Sequence, residues 1–171
     1  MPNARTHDFI TLATGVAMMP AALNLDLPDM NTTNAFVLVA AHISSGLMFS
    51  PDLDLLSTPY KRWGGMRWVW LPYRQMVPHR SWVSHSFVLG PLLRIVYFAG
   101  IMSLLALMIL GVLNLLVPVD PTGILFSVAR MVIEWIEGHP ATIFYALLGF
   151  ILGGAVHSLA DIFVTGLRRR F

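Results

Sequence analysis

The chain has 171 residues, of which 56% are hydrophobic and 12% charged, with a net charge of +2 and a mean hydropathy of +0.69. An ordinary soluble domain carries roughly 25% charged residues, so the composition excludes a water-soluble globule and predicts an all-α polytopic membrane helix bundle, one domain over 1–171. There is no cysteine, which excludes a disulfide framework and a thiolate metal site and leaves His, Asp and Glu as the strong ligands.

In chain order, Phe9–Leu25 is apolar and just long enough to cross a hydrocarbon core of about 30 Å. Arg5 and His7-Asp8 precede it and no small-residue cleavage pattern follows, so it reads as a retained span and not as a removable signal. After a turn over Leu27–Asn31, a second apolar run covers Asn34–Phe49 and stops at Pro51. A hydrophilic island, Ser50–Ser86, comes next. Phe87–Val117 is apolar apart from Arg94; it is too long for one upright helix, so it tilts, protrudes or breaks near Gly90-Pro91. Gly123–Ile136 has Arg130, Glu134 and Trp135 set among apolar residues, the pattern of an amphipathic helix in the interface plane. Thr142–Gly166 is the last span; it contains His157 and Asp161 and precedes Arg168-Arg169-Arg170. The expectation is about four transmembrane helices plus interfacial amphipathic segments.

Short cytoplasmic loops concentrate Lys and Arg. A four-span topology puts Arg5, Lys61, Arg62, Arg67, Arg74, Arg80 and Arg168–Arg170 on one side, with Arg94 able to snorkel toward it; Arg130 falls opposite. Asp26, Asp29, Asp120, Glu134 and Glu137 fall on the other side. The same topology gathers His7, Asp8, Asp52, Asp54, His79, His85, His157 and Asp161 at the basic end, contributed by the ends of all four spans. Bundle interiors are where histidine–carboxylate metal sites are built.

Each residue also has a plainer reading. His157 and Asp161 stand at i and i+4, on one helix face, and an ionisable pair inside a span is costly enough to suggest function; the alternative is an interhelical hydrogen bond. His7-Asp8 after Thr6 could be only a helix start with acid favoured there. Asp52 and Asp54 can point the same way, or serve an Asx turn. His79 and His85 could be surface histidines, although Arg80, Ser81, Ser84 and Ser86 supply donors of the kind that orient ligands. His42 reads as a satisfied interior histidine, and His139 falls on the acidic side and is excluded. The aromatic–basic run Tyr60–Arg74 is either an anchor at the lipid headgroups or a lid beside the site. Nucleic acid, which also suits basic–aromatic interleaving, is disfavoured in a membrane setting.

Thr6-His7-Asp8, Ser50-Pro51-Asp52-Leu53-Asp54, Tyr60-Lys61-Arg62-Trp63-Gly64, Trp70-Leu71-Pro72-Tyr73-Arg74, His79-Arg80-Ser81 with Ser84-His85, and His157-Ser158-Leu159-Ala160-Asp161 together resemble an uncharacterised family of bacterial metal-binding proteins. The order of the blocks also resembles the YdjM-like membrane-bound metal-dependent hydrolases and, more distantly, is similar to the all-helical zinc phospholipase C and single-strand nuclease fold. These resemblances imply a bacterial cytoplasmic or other internal membrane, in which the charge distribution puts both termini on the cytoplasmic side. They also imply one or more divalent ions, zinc first and manganese or iron as alternatives. No serine-centred nucleophile motif, phosphate-cradling glycine loop or dinucleotide fingerprint is present, so metal-activated water is the expected chemistry. The expected metal ligands are His7, Asp8, Asp52, Asp54, His79, His85, His157 and Asp161, with catalytic roles for Asp54 and for Arg80 beside a phosphate. The expected substrate is a phosphoester of a lipid or lipid-linked molecule, with membrane lipids as partners. A non-catalytic metal-stabilised assembly factor and an ion or metal transporter are the other two readings.

Overall fold

The computed structural model describes residues 4–77 and 86–168. These form the helices α1 (Ala4–Asn24), α2 (Thr32–Met48), α3 (Thr58–Arg62), α4 (Leu71–Met76), α5 (Leu89–Leu113), α6 (Pro121–Gly138) and α7 (Pro140–Arg168). Two 3₁₀ turns cover Pro51–Asp54 and Gly64–Trp70, and there is no strand among the described residues. The protein is therefore all-helical, as its composition predicts.

Helix boundaries follow local chemistry. Asn31 caps α2, its side-chain oxygen accepting the Asn34 N–H at 2.9 Å. Ser50-Pro51 ends the helix and leaves its last carbonyls without intrahelical partners. Side-chain donors meet three successive ones: Arg62 Nη1 donates to Leu47 O at 3.0 Å, Trp63 Nε1 to Met48 O at 3.0 Å and Arg94 Nη1 to Phe49 O at 2.7 Å. Two of the three donors are cations at a helix C-terminus, where the macrodipole favours positive charge. This fixes the turn that carries Asp52 and Asp54.

Internal contacts divide the chain into two compact units, 1–94 with 141–171, and 95–140. In the first, helices approach through glycine. A Cβ added at Gly46 would lie 2.6 Å from Thr11 Oγ1, one at Gly149 2.1 Å from Leu38 O, and one at Gly153 2.3 Å from His42 O. Gly149 and Gly153 stand four apart, the spacing that lets two helix backbones touch, and they seat α7 on α2. Ala22, Ala35, Leu38 and Tyr145 form an apolar cluster at the end away from the island. There the Tyr145 hydroxyl donates to Pro28 O at 2.5 Å and Thr142 Oγ1 to Asn34 Oδ1 at 2.8 Å.

The polarity of this unit is reversed relative to a soluble bundle. On α1, His7 and Thr11 are buried while Phe9 and Val16 are 72% and 71% exposed; on α2, Asn34, His42 and Ser45 are buried while Phe36 is 66% exposed. Among the described residues three segments are long and apolar enough to cross a bilayer: Thr32–Asp54, Leu89–Leu113 and Pro140–Phe163. That is one fewer than the four expected, because Arg5, Thr6, His7, Asp8, Thr11 and Thr14 dilute the hydropathy of α1.

In the second unit Asp120 caps α6, accepting from Gly123 N at 3.0 Å and Thr122 Oγ1 at 2.8 Å. The helix buries no residue; Phe126, Met131, Ile133 and Trp135 are all exposed.

Candidate metal centre

Three buried residues converge in the first unit: His7 from the first turns of α1, and His157 and Asp161 from α7. Each offers a ligand atom within 4.8 Å of the others. His7 Nε2 lies 3.2 Å from Asp161 Oδ1, and His157 Nε2 lies 3.9 Å from Asp161 Oδ2. The two imidazoles stack with centroids 3.9 Å apart. Asp52, on the turn after α2, brings Oδ2 to 3.5 Å from His157 Nε2. Its turn is held by Ser50 Oγ, which accepts the Asp52 N–H at 3.2 Å, and by Ser57 Oγ, which donates to Asp52 O at 2.7 Å.

These groups approach without bonding to one another. His157 Nδ1 and Nε2 and both Asp161 carboxylate oxygens are buried and have no hydrogen-bond partner among the described residues. Leaving such atoms unsatisfied costs about 1–3 kcal/mol each, and more for a charge. A divalent cation removes that cost at once. Two donors each about 2.0–2.2 Å from one zinc can be no more than ~4.4 Å apart, and the separations of 3.2, 3.5 and 3.9 Å comply. Borderline nitrogen and hard oxygen donors suit zinc, manganese or iron. The donor set fits a metal.

The two histidines of the cluster line a cavity of about 210 Å³, together with Asp8, Asp52, Ser57 and Gly46, among others. That is space for several waters or a small anionic group, since a water occupies about 30 Å³.

The other sequence-assigned residues take different places. Asp8 lines the cavity but its carboxylate is paired with Arg62. Asp54 is buried; both carboxylates of the Pro-Asp-Leu-Asp turn act on the Arg94 guanidinium, Asp54 more strongly than Asp52, and Asp52 also reaches His157. Burial pushes the Tyr73 phenol above its ordinary range, against the pull of Arg94. His79, Arg80 and His85 lie outside the described residues. His42 is buried, with Nε2 at 2.8 Å from Thr14 Oγ1 and 3.2 Å from Thr11 O. The Thr14 hydroxyl already donates to Ile10 O at 2.7 Å, so His42 Nε2 carries the proton and donates to both.

Two sequence expectations change. Arg94 does not snorkel: it is 0% exposed, held under the turn by Phe49 O. The aromatic–basic run is not a free headgroup anchor along its length. Tyr60, Trp70 and Tyr73 are buried, and Trp70 packs edge-on against Phe49, Trp63 and Tyr73; Trp68 and Met66 remain exposed. The roles of Arg62 and Arg94 at the end of α2 had no sequence signal beyond their charge. The Gly149/Gly153 spacing was a legible one.

An all-helical protein with a buried, unsatisfied histidine–carboxylate cluster has the ligand set of a metal-binding protein. The chain belongs to the uncharacterized metal-binding protein family DUF2227, whose family model matches residues 2–171. No curated protein and no solved structure matches it, so the likeness to YdjM-like hydrolases and to phospholipase C finds no support there.

Proposed function

We propose that this is an integral membrane metal protein that hydrolyses a phosphoester of a lipid or lipid-linked molecule at the cytoplasmic face. The observation that carries the reading is the convergence of His7, His157 and Asp161, buried and without hydrogen-bond partners for His157 and Asp161, beside a cavity that the two histidines line. These three would hold the ion, with Asp52 adjoining; His79 and His85 are candidates for further ligands. When bound, such an ion lowers the pKa of a water and polarises a phosphoryl oxygen. Asp52 lines the cavity beside His157 and is placed to take the proton that the attacking water loses. Asp54 works through Arg94 to hold the turn in place. Arg80 is kept as a phosphate contact.

The membrane reading is supported by the reversed polarity. Apolar side chains face outward on α1 and α2 while histidine, asparagine and serine lie inside, an arrangement that water would penalise and lipid favours. By the same pattern α1 is a fourth span despite its lower hydropathy. Arg5, Lys61, Arg62, Arg67 and Arg74 then mark the metal-bearing end as cytoplasmic.

Elemental analysis of the detergent-purified protein beside His157→Ala is the test. Stoichiometric zinc, manganese or iron in the parent, absent from the variant, together with turnover in a phosphoester screen, supports the reading; a metal-free parent sinks it. One observation favours a non-catalytic staple: the ligands come from the first and last helices, so an ion would join the two ends of the chain. Metal-dependent stability without turnover of any phosphoester would select that reading. An ion path finds less support, since Ala22, Ala35, Leu38 and Tyr145 close the interior one turn beyond His42.

A further inference from the structure

The cavity above the metal cluster has two carboxylates in its wall, Asp8 and Asp52. An anionic substrate entering it must be met by positive charge. One cation already touches the wall: Arg62 Nη2 is ion-paired with Asp8 Oδ2, and each side chain is 27% exposed. The guanidinium has a second anchor, because Nη1 donates to Leu47 O at 3.0 Å. Arg62 is thus held by Leu47 O independently of Asp8, directly behind a carboxylate that lines the cavity. Asp8 is the residue after His7, so its carboxylate sits at the edge of the metal cluster without belonging to it.

We propose that the Asp8–Arg62 pair is a displaceable latch on an oxyanion subsite: the phosphate group of the substrate replaces the Asp8 carboxylate on Arg62. A guanidinium serves either occupant, since its planar fork matches carboxylate and phosphate alike. The pairing keeps Arg62 oriented in the empty site and makes Asp8 an internal competitor for the substrate anion. This rests on the phosphoester reading above and adds to it the residue that recognises the phosphate.

The two members of the pair have opposite roles, so their variants differ in sign. Inorganic phosphate and dihexanoyl phosphatidate are titrated calorimetrically into metal-loaded protein in detergent, for the parent, Arg62→Ala, Arg62→Lys and Asp8→Asn. Metal content and helical circular dichroism are measured alongside. Loss of a charge-assisted hydrogen bond should weaken phosphate binding about tenfold or more in Arg62→Ala, read per metal-loaded protein because Arg62 also holds Leu47 O at the end of α2. Asp8→Asn should bind several-fold more tightly than the parent. Arg62→Lys should fall between Arg62→Ala and the parent; if the alanine variant fails to fold, this one and Asp8→Asn still carry the test. Tighter binding of phosphatidate than of inorganic phosphate assigns the subsite to a lipid ester, and the reverse to a soluble one; either supports the latch. If Arg62 and Asp8 variants shift in the same direction, or neither shifts, the pair is a structural bridge and the latch is wrong. If the metal-loaded parent binds neither probe, the phosphoester reading falls with it.

Discussion

At the residue scale the centre depends on two atom types that leave each other unsatisfied here: imidazole nitrogens and carboxylate oxygens at 3.2–3.9 Å without aligned hydrogen bonds. An ion that binds only the folded protein stabilises it by about 2.7 kcal/mol at a hundred times its dissociation constant. Chelation should therefore lower the thermal midpoint of the parent by several degrees and leave His157→Ala unmoved; scanning calorimetry with and without chelator checks this. Arg94 is a second sensitive residue, fully buried beneath the turn that carries Asp52. Removing one partner of a buried charge pair costs about 3–5 kcal/mol, so Arg94→Ala should destabilise by that order and lose metal as well, because the turn loses its anchor. Retention of full metal content in a folded Arg94→Ala protein would remove Arg94 from the support of the site.

At the scale of the elements, the seating of α7 on α2 brings His157 and Asp161 to His7. Adding a methyl group at Gly153 would place carbon 2.3 Å from His42 O, and overpacking of this kind costs about 1–3 kcal/mol. Gly153→Ala should lower the denaturation midpoint and weaken metal affinity together, whereas Gly100→Ala, where an added Cβ meets nothing within 4 Å, should do neither. The cap of α6 has its own signature. The Gly123 N–H and the Thr122 hydroxyl hold the Asp120 carboxyl below its ordinary value of 3.8. A depressed carboxylate contributes stability that is present above its unfolded value and is lost as pH falls through the folded one. Acidification below pH 3.8 should thus fray the first turn of α6, seen as faster amide exchange at Gly123. Asp120→Ala should show that exchange already at neutral pH.

For the molecule as a whole the question is which solvent surrounds it. Phe9, Val16 and Phe36 face outward while His7, His42 and His157 lie within, and Lys61, Arg62, Arg67 and Arg74 all fall between α2 and α5. The absence of native cysteine makes labelling clean. Single cysteines at Lys61 and Gln75 should react with an impermeant maleimide only after the cytoplasmic side is opened, and those at Asp26 and Asn114 should react in intact cells. Labelling of Asp26 and Lys61 from the same side would refute α1 and α2 as a spanning pair with the metal end in the cytoplasm.

Composition and spacing alone determined that the chain is helical and apolar, that any metal must be held by His and carboxylate, and that His157 and Asp161 share a face. Those are one-dimensional properties: period, length and ligand type. The termini of α2 and α6 were legible too, because capping chemistry is local. Which acids join the histidines was not legible. Asp52 and Asp54 stand two apart in one turn, yet Asp52 reaches His157 while Asp54 acts more strongly on Arg94, because the turn that bears them is fixed by donors from Arg62, Trp63 and Arg94, distant in the chain. The fate of Asp8 was decided in the same way, by an arginine fifty-four positions on. The tertiary structure alone chose these pairings, since a buried charge goes to whichever partner the packing of other elements brings within reach.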